Sequence, residues 1–186
     1  APTFSPKLTS LPFLKKPLED LLEKEGDVLL VMKFHPLTLT RWTDEYRSWA
    51  KDRNDAVYID TSRNITEYQL ISDLMISDTS SAVYEFLLLD RPVITLRTIA
   101  KDIYWENITD EHDILQAYHK AYNDPESIQK RRWIVENYDP HLDGKCCARM
   151  IEQAEDYIRR HGVPKKRKLN LWRKYTSIKA FGRIKK

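Results

Sequence analysis

Three short apolar runs, residues 28–34, 74–77 and 93–96, alternate with segments of helical spacing, and few folds accept that alternation. The first run is nearly continuous in apolar side chains, as in a strand covered on both faces, and it closes at His35-Pro36. Leu14, Leu18, Leu21 and Leu22 mark one face of a helix over 14–24, with Gly26 where a C-terminal stop belongs. A second helix is expected over 41–51, a short strand over 56–59, a helical turn over 65–71 and a helix over 81–89. Strands separated by helices require right-handed crossovers, hence a mostly parallel sheet covered by helices. Beyond Leu96 the pattern becomes helical, over 113–122, 125–136 and 143–160, and Gly162-Val163-Pro164 stops the last of these. Ala1-Pro2-Thr3-Phe4-Ser5-Pro6 reads as the end of a strand running into a loop, so further sequence upstream is expected.

Length and composition agree with one folded unit. The 186 residues are 41% hydrophobic and include five Trp and ten Tyr, enough to enclose a core. The longest apolar run, near residues 28–32, is far below the roughly 20 residues of a membrane-spanning helix. Adjacent Cys146 and Cys147 neither bridge readily nor supply spaced metal ligands, so no metal site is expected. The two Asn-x-Thr triplets at Asn64 and Asn107 matter only in a secreted protein, and neither is expected to be used, since no signal peptide is expected. The net charge of +3 conceals an asymmetry. Residues 164–186 hold ten of the 31 basic side chains and no acid, which leaves 21 basic against 28 acidic groups, a net of −7, in residues 1–163.

In an open parallel sheet, ligands bind beyond the C-terminal ends of the strands. Two polar loops fall there. Ser77-Asp78-Thr79-Ser80-Ser81 joins a buried strand to an apolar helix, and hydroxyls with free N–H groups at a helix start suit a phosphate. Ordinary capping by Ser80 or Ser81 explains one hydroxyl but not five consecutive polar residues. Glu85, one turn on from Ser81, is placed to accept hydrogen bonds from ribose hydroxyls; an exposed, solvated face is the alternative. His35 at a strand end is placed to contact a phosphate or move a proton, or simply to close the strand. Four glycines, at 26, 144, 162 and 182, cannot write a dinucleotide fingerprint or a Walker loop, and no cofactor is expected.

These residues resemble the C-terminal part of the CDP-glycerol glycerophosphotransferases, the teichoic-acid and capsule polymerase family. The resemblance rests on Ala1-Pro2-Thr3-Phe4, Lys33-Phe34-His35-Pro36, the stretch from Ile71 through Ser81 to Phe86, and Leu89-Asp90-Arg91-Pro92-Val93-Ile94. A weaker echo is Asp143-Gly144-Lys145, and together these motifs span about residues 1–160. It implies an α/β fold, the Rossmann-like C-terminal half of a GT-B transferase, with a mostly parallel sheet flanked by helices and a basic C-terminal tail. It implies that Ser80 and Ser81 hold the diphosphate, that Glu85 takes the ribose and that His35 lies at the reaction centre, and the expected substrate-binding set is Ser77, Asp78, Thr79, Ser80, Ser81 and Glu85. The donor implied is CDP-glycerol and the acceptor a lipid-linked polymer. This chain has Ser77-Asp78-Thr79 where the family often has Thr-Asp-Tyr, and Glu85 where it often has Asp, which bears on the exact nucleotide. The acceptor domain and a second essential histidine of such enzymes are not in this sequence, so residues 1–186 alone are expected to be inactive.

The expected domains are a nucleotide-binding unit over 1–163 and a basic, aromatic tail over 164–186. Basic residues interleaved with Trp172, Tyr175 and Phe181 suit an anionic bilayer surface; a solvated tail or a nucleic-acid contact are the alternatives, and no nucleic acid is expected. The expected location is cytoplasmic, at the inner face of the membrane. Two other functions stay open: another GT-B nucleotide-sugar transferase or 2-epimerase, and a non-catalytic, membrane-associated nucleotide-binding remnant.

Overall fold

The computed structural model describes residues 1–186 apart from 54, 63, 142, 164–169 and 183–186. Its strands are β1 (Leu30–Lys33), β2 (Val57–Asp60), β3 (Met75–Ser77), β4 (Val93–Leu96) and β5 (Glu106–Ile108). Its helices are α1 (Lys15–Lys24), α2 (Thr40–Ala50), α3 (Thr66–Ile71), α4 (Ala82–Leu87), α5 (Ile114–Asn123), α6 (Pro125–Tyr138), α7 (Cys146–His161) and α8 (Leu171–Phe181). Every strand pairing is parallel. β1 pairs with β2, Leu30 opposite Val57, and β3, β4 and β5 form a second group, Met75 opposite Val93 and Ile94 opposite Glu106. Helices link β1 to β2, β2 to β3 and β3 to β4, as the alternation requires, while a loop without a helix joins β4 to β5.

The chain divides into two compact units, residues 1–140 and 141–186. In the first, one core gathers Leu11, Leu14, Leu18, Met32, Phe34, Tyr46 and Ile94, and a second gathers Met75, Val83, Phe86, Leu87, Trp105 and Ile134. Tyr46 is fully buried because its hydroxyl has a partner, donating to the Leu11 carbonyl at 2.7 Å. Burial pushes its phenol well above the ordinary tyrosine range. Helix α4 shows the sequence logic most directly. Val83, Phe86 and Leu87 recur at the spacing of one helical face and are all buried, each removing enough apolar surface to contribute about 1.5–3 kcal/mol. The helix ends at Leu87, the turn after it reaches Asp90, which takes a left-handed φ of 52°, and Pro92 then bars a helical continuation.

Three differences from the sequence expectations have physical causes. Strand β1 pairs only over Leu30–Lys33, and Leu30 and Val31 are half-buried rather than covered on both faces, because β2 occupies one edge only. Strand β5 interrupts the stretch after Leu96 where only helices were expected; a three-residue strand is too short to show a period. The tail contains helix α8, capped by Asn170, whose side chain accepts from the Arg173 N–H at 2.9 Å, and ended by Gly182 at φ 75°. Residues 164–169 and 183–186 of that tail lie outside the described residues. In the second unit Gly162, at φ 71°, ends α7 as anticipated.

Candidate nucleotide site

Because the strands are parallel, the ends of β1, β3 and β4 deliver His35, the serine block and Arg97 to the same C-terminal side of their sheets. Over this side runs the segment of residues 1–14, and two members of the block hold it there. Asp78 is 1% exposed, and its carboxylate accepts from the Thr3 N–H at 2.9 Å, the Ser10 N–H at 2.8 Å and the Ser10 hydroxyl at 3.0 Å. Ser77, also buried, donates its hydroxyl to the Ala1 carbonyl at 2.6 Å. Phe4, adjacent to Thr3, stacks on the His35 ring with centroids 4.3 Å apart. The segment thereby links the histidine to the serine block, which sequence spacing alone could not show.

His35 is exposed at the end of β1, and its Nδ1 accepts from the Leu37 N–H at 3.1 Å. An accepting Nδ1 places the proton of the neutral ring on Nε2. Two residues earlier, Lys33 is buried beside Asp60, with Nζ 3.2 Å from the carboxylate, and it also donates to the Ser62 carbonyl. The Ser62 hydroxyl, at 2.6 Å, and the Ser62 N–H donate to Asp60; with Lys33 beside it, they hold that carboxyl well below the usual carboxylate range. Lys33 is thus committed to closing the β1–β2 edge.

The remaining members of the block are arranged differently. The Thr79 hydroxyl accepts from the Ile99 N–H at 3.1 Å and meets the Thr98 hydroxyl at 3.3 Å, tying the β3–α4 loop to the loop after β4. Asn107 on β5 braces that second loop, accepting from the Thr98 N–H at 3.1 Å and from the Thr95 hydroxyl at 2.9 Å. Ser80 accepts weakly from the Ala82 N–H at 3.3 Å. Ser81 occupies the position before α4, makes no capping bond and is exposed. Glu85 is exposed in the first turn of α4 and accepts from the Nε2 of buried Gln69 at 3.3 Å.

Arg97 takes a φ of 52°, in a region that a branched or long side chain rarely occupies. Its guanidinium lies 3.9 Å from the centroid of the Phe13 ring, and its Nε donates to the Thr109 carbonyl at 3.0 Å. Tyr104 stacks on Trp133 at 4.5 Å. Phe4, Phe13, Gln69 and Thr98 were invisible as site neighbours in the sequence, since each reaches its partner across tens of residues. A cavity of about 340 Å³ lies between β1 and β3, and none of His35, Ser80, Ser81 and Glu85 lines it. Among the described residues no cluster of three or more metal-ligating side chains occurs, and no helix is long and apolar enough to cross a membrane.

Comparison with known proteins bears on this arrangement. Over 98 residues, half of this chain, the sequence is 38% identical to the teichoic acid glycerol-phosphate primase of Bacillus spizizenii (strain ATCC 23059 / NRRL B-14472 / W23), and the match takes in 23% of that protein. The crystal structure of TarM is similar in fold, with a TM-score of 0.55 and 11% identity, over 84% of this chain and 34% of that one. That likeness concerns the fold alone and accords with a Rossmann-like half of a GT-B arrangement. The family model for CDP-glycerol:poly(glycerophosphate) glycerophosphotransferase matches residues 1–155, and the chain therefore belongs to that family.

Proposed function

We propose that this chain is the donor-binding portion of a CDP-glycerol:polymer glycerophosphotransferase, acting in the synthesis of a teichoic-acid or capsule polymer. One observation carries the reading: within the family-matched stretch, Ser81 and Glu85 stand exposed at the start of α4 while their neighbours Ser77, Asp78 and Thr79 are committed to the fold. The Ser80 and Ser81 carbonyls accept from the N–H groups of Val83, Tyr84 and Glu85. The turn therefore offers a diphosphate the Ser80 and Ser81 N–H groups and the Ser81 hydroxyl. Glu85 offers two acceptor oxygens to the ribose diol, and Gln69 fixes its direction. Ser77, Asp78 and Thr79 belong to the same site as positioning residues, setting the loops on either side of the donor.

In the reaction, an acceptor hydroxyl attacks the glycerol-bearing phosphorus of CDP-glycerol. A new P–O bond forms, the pyrophosphate P–O bond breaks, CMP leaves, and the hydroxyl proton is released. Donors fixed at the α4 turn stabilise charge developing on the phosphate oxygens with little rearrangement. His35, with Nδ1 engaged, presents Nε2–H as an acid or electrostatic partner at that centre. The matched stretch is a minor part of the primase relative, and we propose that residues 1–186 alone bind nucleotide but do not turn over CDP-glycerol.

Calorimetry of CMP, CDP, UDP and GDP binding to the chain tests the site. The cytidine nucleotides should bind tightest, and replacing Ser81→Ala with Glu85→Gln should abolish CMP binding while leaving the melting temperature unchanged. Unaltered affinity sinks the assignment, and a preference for UDP points to a nucleotide-sugar enzyme instead.

We further propose that α8 lies on an anionic bilayer at the cytoplasmic face. Leu171, Trp172 and Tyr175 are exposed there beside Arg173, Lys174 and Lys179. Sedimentation with phosphatidylglycerol vesicles should be lost at high salt and on Trp172→Ala with Tyr175→Ala; binding indifferent to both refutes it.

A further inference from the structure

Three described residues other than glycine take a left-handed φ, Asp90, Arg97 and Asp102, each at 52°. An aspartate tolerates that region because its short side chain bonds locally. An arginine does not, and it stays there only where its surroundings leave it no choice. Around Arg97 they do. Its own N–H donates to the Ile108 carbonyl at 2.8 Å, and the next N–H, that of Thr98, donates to the Asn107 side-chain oxygen at 3.1 Å, so β5 grips the chain on both sides of the turn. No packing requires the conformation, since the Arg97 side chain is exposed at the end of β4.

The exposed side chain is nevertheless held. Nε donates to the Thr109 carbonyl at 3.0 Å, and the guanidinium lies 3.9 Å from the centroid of Phe13, as Phe4 lies against His35. Phe13 is itself placed by the bond of its N–H to the Ser10 carbonyl, at 2.8 Å, and Ser10 by Asp78. Among the described residues no carboxylate pairs with Arg97 and no acceptor meets its two Nη atoms. A guanidinium oriented through Nε and one face keeps a planar fork of N–H donors for an anion, and that fork fits two oxygens of one phosphate.

Its neighbours say which anion. The loop that follows Arg97 is tied to the serine block, the Ile99 N–H donating to the Thr79 hydroxyl at 3.1 Å. Glu85 is bonded to Gln69, which lines the cavity on the β1 side of β3, whereas Arg97 leaves β4 and reaches toward β5. The serine turn therefore lies between the carboxylate and the guanidinium, and a nucleoside diphosphate seated with its ribose on Glu85 extends its distal phosphate toward Arg97.

We infer that Arg97 binds the phosphate distal to the nucleoside, the glycerol-bearing phosphate of the donor, through its Nη fork, and that Phe13 positions it. That role rests on the nucleotide site proposed at the α4 turn, and it adds the group that recognises a diphosphate over a monophosphate.

Calorimetry of the 186-residue chain with CMP and CDP tests it, on the parent, Arg97→Lys and Arg97→Gly. Lysine keeps the charge without the fork, and glycine suits a φ of 52°, so the melting temperature of Arg97→Gly should stay within about 3 °C of the parent. The parent should bind CDP at least about tenfold more tightly than CMP. Arg97→Gly should lose about tenfold or more in CDP affinity and Arg97→Lys about fivefold, while CMP affinity stays within about twofold in both. A parent that binds the two alike, variants that keep the preference, or an equal loss for CMP and CDP overturns the role of Arg97; the α4 site still stands where Ser81→Ala with Glu85→Gln abolishes CMP binding. A parent that binds neither nucleotide overturns both. Loss of glycerol 3-phosphate binding in the variants with CDP affinity intact assigns the fork to the acceptor and overturns the donor role. Should Arg97→Gly melt early, Arg97→Lys alone decides.

Discussion

Replacing Asp78 should unfasten the segment that links His35 to the serine block. The carboxylate is buried and receives three donors, the N–H groups of Thr3 and Ser10 and the Ser10 hydroxyl. In Asp78→Ala all three lose their acceptor. The hydroxyl can turn to water, but two backbone N–H groups stay in a partly closed space, and at about 1–3 kcal/mol for each the loss is about 2–6 kcal/mol. Asp78→Asn keeps one acceptor oxygen, enough for Thr3 or for Ser10 but not both, and should lose about 2 kcal/mol. Ser77→Ala removes a single bond to the Ala1 carbonyl and should lose about 1 kcal/mol. Urea unfolding at neutral pH, followed by tryptophan fluorescence, ranks the three variants. The His35 ring resonances provide a second measure, since Phe4 lies 4.3 Å from that ring and its ring current should vanish when the segment detaches. If Asp78→Ala stays within 1 kcal/mol of the parent, or leaves the His35 resonances in place, the carboxylate does not anchor the segment.

Asp60 gives the fold an acid-side limit. Its folded carboxyl is depressed by the Ser62 hydroxyl first, then by the Ser62 N–H and Lys33, so its contribution is fully present above the unfolded value of about 4 and is lost as pH falls toward the folded value. Asp60→Asn should flatten the melting temperature between about pH 4 and pH 2, and a parallel curve for both proteins would contradict this. Arg91 reaches the Gln69 carbonyl at 3.1 Å, the Leu70 carbonyl at 2.9 Å and the Ser72 carbonyl, closing the end of α3. Arg91→Ala should cost about 1.5–3 kcal/mol in urea unfolding and loosen Gln69, weakening CMP binding through Glu85; full stability would show that water caps the helix equally well.

The alternation of apolar runs with helical spacing was sufficient for the parallel α/β fold, and Val93–Leu96 was placed to the residue because its four side chains are all buried. Boundaries elsewhere moved by one to three residues, the start of α7 farthest, because backbone pairing and capping rather than side-chain type decide where an element ends. Two things were illegible. Strand β5 is legible only through its partners, since Asn107 serves as a bracket for Thr95 and Thr98 rather than as part of an apolar pattern. The commitment of Ser77 and Asp78 was hidden because their partners, Ala1, Thr3 and Ser10, lie about seventy residues away.

That division within five consecutive polar residues follows from where the strand ends. Ser77 and Asp78 are the last residues under the cover of 1–14, so their polar atoms must find partners inside the protein, and the loop supplies them. Thr79 is half-covered and is shared with the neighbouring loop through Thr98. By Ser81 the chain has emerged, its hydroxyl makes no capping bond, and the helix beneath is held by Val83, Phe86 and Leu87 without its help. A serine at this position adds little to the fold, since Ser80 and the carbonyls of the turn already serve the first N–H groups of α4. Ser81→Ala should therefore leave stability within about 0.5 kcal/mol while Ser77→Ala does not, and the residue that stability can spare is the one on which nucleotide affinity should depend.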